Sequence, residues 1–224
     1  MLPPPEFTGM ARLLRQRLAE QDELVDMAIS ALRPIRDRLR RHPKKPIRDE
    51  TLLHAKRAWE RLPAFGSLGR TCDIRDARAP RFHELRAGPT KFSGPDWQHP
   101  TDGIVVVLIG ASVQGGSFRV SAPILAVLSA HALARRYERG QRSDLSVLAD
   151  LEVLATSFPR LIETADRFNC PVADGTWTGN VAMAGHYVAL NVATFLPETL
   201  PALPAGPPRD IETLLASLPR IAFP

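Results

Sequence analysis

The chain has 224 residues, 44% of them hydrophobic, and a formal net charge of +5. That length holds one sizeable core, or one core with a small appended unit, and the hydrophobic share excludes wholesale disorder. Two cysteines, Cys72 and Cys170, exclude a Cys-rich zinc site; the opening MLPPPEFTGM has no basic start and no apolar run, so a cytoplasmic protein with reduced, unlinked thiols is expected.

Residues 8–41 carry Leu14, Leu18, Val25, Ile29, Leu32, Ile35 and Leu39 at intervals of three, four or seven, the apolar stripe of an amphipathic helix. Pro34 lacks a backbone donor and is expected to kink or split it. The break RHPKKPIRD follows. Residues 49–62 then predict a second amphipathic helix, with Asp49 or Thr51 as cap and Leu52, Leu53, Ala55, Trp59 and Leu62 inward.

The charge is concentrated here. Residues 1–92 hold 20 Lys and Arg against 12 Asp and Glu, whereas the remainder is mildly acidic. The stretch RPIRDRLRRHPKKPIR gathers Arg36, Arg38, Arg40, Arg41, Lys44, Lys45 and Arg48 at a helix end and the turn after it. Guanidinium groups hydrogen-bond phosphate in pairs, and each contact releases counterions, so such a patch suits a phosphate backbone. Arg outnumbers Lys 25 to 4 across the chain, so part of this charge reads equally as plain solvated surface.

Residues 63–102 are rich in Pro and Gly without a clean periodicity. They read as an irregular segment hiding at most one short strand near residues 72–74. Within FHELR, His83 stands beside Glu84 and close in sequence to Cys72, Asp73 and Asp76, a set able to do acid–base work or hold a metal. No known ligand spacing is present, and Arg75, Arg78 and Arg81 offer ordinary ion-pair partners, so no metal is assigned. Trp97 reads as a loop aromatic, either stacking on a partner or pinning its own loop.

GIVVVLIGASVQGGSFRVSAP, residues 103–123, invites two catalytic readings. Gly110, Gly115 and Ser117 fit the register of a phosphate-binding loop, but Gly116 occupies the lysine position and the following SFRVSAP starts no helix. GASVQG around Ser112 is one residue too long for a nucleophile elbow. The expected structure is a β-hairpin, with strands at 104–109 and 118–122.

Residues 121–140 predict a helix capped by Ser121 and ended by Gly140, residues 143–157 another, and Pro159 begins a third reaching residue 168. The uncharged run 175–197 is too short and polar to cross a membrane and reads as a buried helix from Asn180 to Phe195, with His186 inside it. A last short helix is expected at 210–218.

The expected fold is therefore mainly α with a minor β component (α+β). A basic N-terminal helical unit (1–62) and an irregular segment (63–102) precede a helical core carrying one short β-hairpin (103–224). The function that follows is contact with the phosphate backbone of DNA or RNA at low sequence specificity through the basic patch, in a homo- or hetero-oligomeric assembly, with no cofactor and no membrane. An acidic protein partner would suit the same patch. The alternatives are an enzyme using His83, Glu84 or His186 between segment 63–102 and the core, and a structural adaptor docking its N-terminal stripe on a partner helix.

Overall fold

The computed structural model describes residues 3–20, 30, 32–43, 45–89, 103–114, 116–162, 166–184 and 187–203. Its centre is an eight-stranded mixed sheet. The strands are β1 (Ser67–Asp73), β2 (Arg81–Pro89), β3 (Ile104–Gln114), β4 (Ser117–Ser121), β5 (Ile124–Leu128), β6 (Arg167–Val172), β7 (Gly175–Ala184) and β8 (Tyr187–Leu196). They lie in the order β1-β2-β3-β5-β8-β7-β6, with β4 paired to β3. All pairs are antiparallel except β5 with β8.

This overturns the helical core with one short hairpin. The sheet is the core, and four segments read as helix or loop supply its strands. Segment 63–102 contributes a hairpin, β1 with β2, joined by a turn in which Asp73 and Asp76 accept backbone N–H groups of Arg75 and Arg78. The apolar run ILAVL is β5, buried at all five positions, so the helix after it begins at Ala130, capped by Ser129 whose Oγ accepts the Ala132 N–H at 3.1 Å. Residues 180–184 and 187–195 fall in the β7–β8 pair, and residues 167–172 are β6.

The hairpin of residues 103–123 is present but longer and tighter than expected. β3 continues through Ala111–Gln114, and Gln114 pairs with Ser117. β4 and β5 then lie end to end along one edge of β3, with Ala122 and Pro123 as the step between them.

Among the described residues, five helices clothe the two faces. On the first lie α1 (Pro5–Glu20), α4 (Ala130–Arg139) and α5 (Asp144–Leu161). Phe7, Ala11, Leu14 and Leu18 of α1 join Leu133, Tyr137, Leu151, Leu154 and Phe158 over Leu85, Val106, Leu125, Phe168, Trp177 and Phe195. Arg136, fully buried, holds this layer by pairing with Asp150 of α5 and, at 3.0 Å, with Asp174 of the β6–β7 turn. Pro159 falls in the last turn of α5 and does not restart a helix.

The second face carries α2 (Arg33–Arg41) and α3 (Asp49–Glu60), over the β1–β4 side of the sheet. Leu32, Ile35, Leu39, Leu52, Ala55 and Trp59 pack on Phe82, Ile109, Ala111 and Val113. Trp59 meets Phe82 edge to face, with ring centroids 5.7 Å apart. Pro34 stands in the first turn of α2, where its missing donor costs nothing.

Cys72 on β1 and Cys170 on β6 sit on the two end strands of the sheet order and are free thiols. Burial pushes the pKa of each up to about 11, well above the pH at which a thiolate forms readily. No described helix is long and apolar enough to cross a membrane.

Candidate anion-binding surface

With Ile35 and Leu39 turned onto the sheet, the other faces of α2 are left to charge. Arg36, Arg40 and Arg41 are exposed and Arg38 is half-buried; Lys45 and Arg48 are exposed in the connection to α3. Buried Ile47 anchors that connection, its N–H donating to the Ala77 carbonyl at 3.0 Å. Lys44 lies outside the described residues. Arg36 approaches Asp37 at 3.6 Å, a half-exposed contact of little net strength. Among the described residues no carboxylate pairs with Arg40, Arg41, Lys45 or Arg48. The cluster registers on His42, which caps the C-terminus of α2: desolvation first, then Arg38, Lys45 and Arg41, hold its imidazole below the ordinary 6.5.

The β3–β4 hairpin belongs to this surface. Gly116, in the turn, has φ +80° and lies so close to the α2–α3 connection that a Cβ there would stand 2.7 Å from the carbonyl oxygen of Pro43. The glycine-rich stretch therefore braces the basic connection. It is followed by a strand, so no helix N-terminus faces it as a phosphate loop requires. Ser112 and Ser117 are strand residues of β3 and β4.

β4 also closes a cleft of about 300 Å3 against α2, lined by Ser30, Arg33, Arg36, Phe118 and Val120. In the sequence Arg33 stands out only as the first residue of the basic stretch, and Phe118 only as the start of an expected strand. Arg33 shares its helix flank with Arg36 and Arg40, at positions i, i+3 and i+7, a spacing open to inspection. Phe118 reaches the cleft only because β4 folds back on β3, and no local pattern announces that.

The acid–base candidates separate. His83 and Glu84 are successive residues of β2 and so project to opposite faces. His83 is half-buried, and burial, then Arg81, lowers its basicity. Glu84 is fully buried on the face of Phe82 and Arg86, its Oε1 accepting from Arg70 at 3.2 Å and Arg86 at 3.1 Å. Arg70 also donates to the carbonyls of Glu60 and Leu62, and both arginines donate to that of Pro63. These are the carbonyls at and beyond the end of α3, so the trio clamps that helix end to β1 and β2. Asp73 is taken by Arg75, whose hydrogen bonds hold its carboxyl far below the usual range.

His186 and Trp97 lie outside the described residues. Among the described residues no group of three or more His, Cys, Asp and Glu could hold a metal ion. Compared with known proteins, the chain matches no family model, no curated protein and no solved structure.

Proposed function

We propose that this protein contacts the phosphate backbone of nucleic acid, with little reading of sequence, through α2 and its connection to α3. The proposed setting is the cytoplasm, within a larger assembly. One observation carries the reading: Arg40, Arg41, Lys45 and Arg48 project from one short stretch with no carboxylate partner among the described residues. An ordinary solvated charge face interleaves both signs; from Arg36 to Arg48 the one acidic residue is Asp37, beside Arg36, and the next acids, Asp49 and Glu50, open α3. The braced connection holds the charges in place before any ligand arrives, which limits the entropy lost on binding.

The free thiols accord with a reducing compartment. Phosphate contacts position a protein without specifying a base, so affinity should vary little among unrelated sequences and fall steeply with salt.

The test replaces Arg40, Arg41, Lys45 and Arg48 together by Ala and measures binding of unrelated oligonucleotides by fluorescence anisotropy across salt concentrations. All four positions are exposed, so folding should be retained. Loss of four contacts, at about 0.7–0.9 each, flattens the plot of log affinity against log salt by about three units, equally for every sequence. A folded variant with unchanged affinity and slope would overturn the proposal.

A further inference from the structure

We infer that the cleft between α2 and β4 takes an unstacked base of single-stranded nucleic acid, with Phe118 as its stacking platform and Arg33 and Arg36 on the flanking phosphates. The inference rests on the polyanion reading above and names the form of the ligand. Four observations meet at the cleft. In this hollow of the basic layer an aromatic ring stands beside two arginines. Its volume, about 300 Å3, lies at the lower end of the roughly 300–1,000 Å3 that small-ligand pockets span, enough for a ring system and too small for a folded partner segment. Phe118 is only half-buried, although it packs beside the second core. Arg33, Arg36 and Arg40 run along one flank of α2, so the positive track leading out of the cleft continues towards the exposed residues of the α2–α3 connection.

Sites that hold single strands without a sequence code combine these parts: a basic track for the backbone and an aromatic face for the bases. Every base has a π-face, so stacking on Phe118 adds affinity without adding a code. A duplex can present phosphates to Arg40, Arg41, Lys45 and Arg48, but it must break a base out of its stack to reach Phe118. The cleft should therefore favour a single strand over a duplex of equal length.

The experiment compares a 20-nucleotide oligo-dT, the same oligo-dT annealed to oligo-dA, and base-free polyphosphate on the wild-type protein and on Phe118→Leu. Circular dichroism and thermal melting check folding. The expected result is tighter binding of the single strand, weakened about five- to a hundredfold by F118L, the share of one base–aromatic stack, with the salt slope and the duplex and polyphosphate affinities unchanged. A second variant, Phe118→Trp, should keep its affinity and show fluorescence quenched by oligo-dT, beyond the response of the three native tryptophans. Equal affinity for single strand and duplex, an unaffected F118L, or an F118W whose added fluorescence oligo-dT leaves unquenched overturns the inference and leaves backbone contact standing. If none of the three ligands binds the wild-type protein, both readings fall together.

Discussion

His42 shows how single residues report the field they sit in. It stands at the C-terminus of α2, where a helix dipole favours the protonated imidazole. Its basicity is nevertheless lowered, by desolvation first and then by the neighbouring Arg38, Lys45 and Arg41. The sign for binding follows. A phosphate ligand neutralises those cations and favours imidazolium, so binding must raise the His42 midpoint, and by reciprocity affinity must strengthen as pH falls from the bound midpoint through the free one, which lies below 6.5. An NMR pH titration should place the free midpoint under 6.5 and move it upward on addition of oligonucleotide. A free midpoint at or above 6.5, or one indifferent to ligand, would contradict the described cluster. Glu84 shows the opposite case, a residue that looked catalytic because its charge was visible and its face was not. Alternation along β2 separates it from His83, and two arginines turn it into a structural tie.

At the scale of elements, what could be read was what local chemistry dictates. The helix at Asp49–Glu60 stood in its apolar spacing, although its N-cap is Arg48 and neither Asp49 nor Thr51; the end of α4 stood in Gly140, and the hairpin stood in its β-branched run and glycines. What misled was a sheet buried on both faces. In β2 the inward residues of the two faces run together as Glu84, Leu85, Arg86 and Ala87, all buried, so no alternation survives and the charges suggest a loop. In β7 and β8, register shifts at Thr178/Gly179 break the two-residue period that marks a strand. The hairpin turn offers the element-scale test. Gly116 is needed twice, for its positive φ and for its approach to Pro43, so Gly116→Ala should cost about 1–2 kcal/mol from backbone strain alone, and more if Pro43 must move. Ser117→Ala, in exposed strand one residue on, should change little. Urea midpoints with unchanged slopes measure both. An equally stable G116A would mean that the turn does not brace the basic connection.

At the scale of the molecule, the sheet divides the protein into layers of unequal strength. The first core joins α1, α4 and α5 to residues of every strand but β4, whereas the second joins only α2 and α3 to the β1–β4 side. No local signal carries that arrangement, because the parallel pairing of β5 with β8 joins segments about sixty residues apart. The proposed anion-binding charges all ride on the smaller layer. Trp59 is its largest fully buried side chain, packed on Phe82, and Trp59→Ala should cost about 3–5 kcal/mol. That loss should fall locally. Native-state hydrogen exchange on the variant should show the amides of α2 and α3 opening at a lower free energy than those of β5, β8 and α5, which keep the larger core. Oligonucleotide added to the variant should restore protection to α2 and α3 first, since a ligand stabilises the form that binds it. Equal loss of protection in both layers would mean that the sheet transmits the damage and the protein opens as one unit. The patch would then depend on the whole fold, with no layer of its own to carry it.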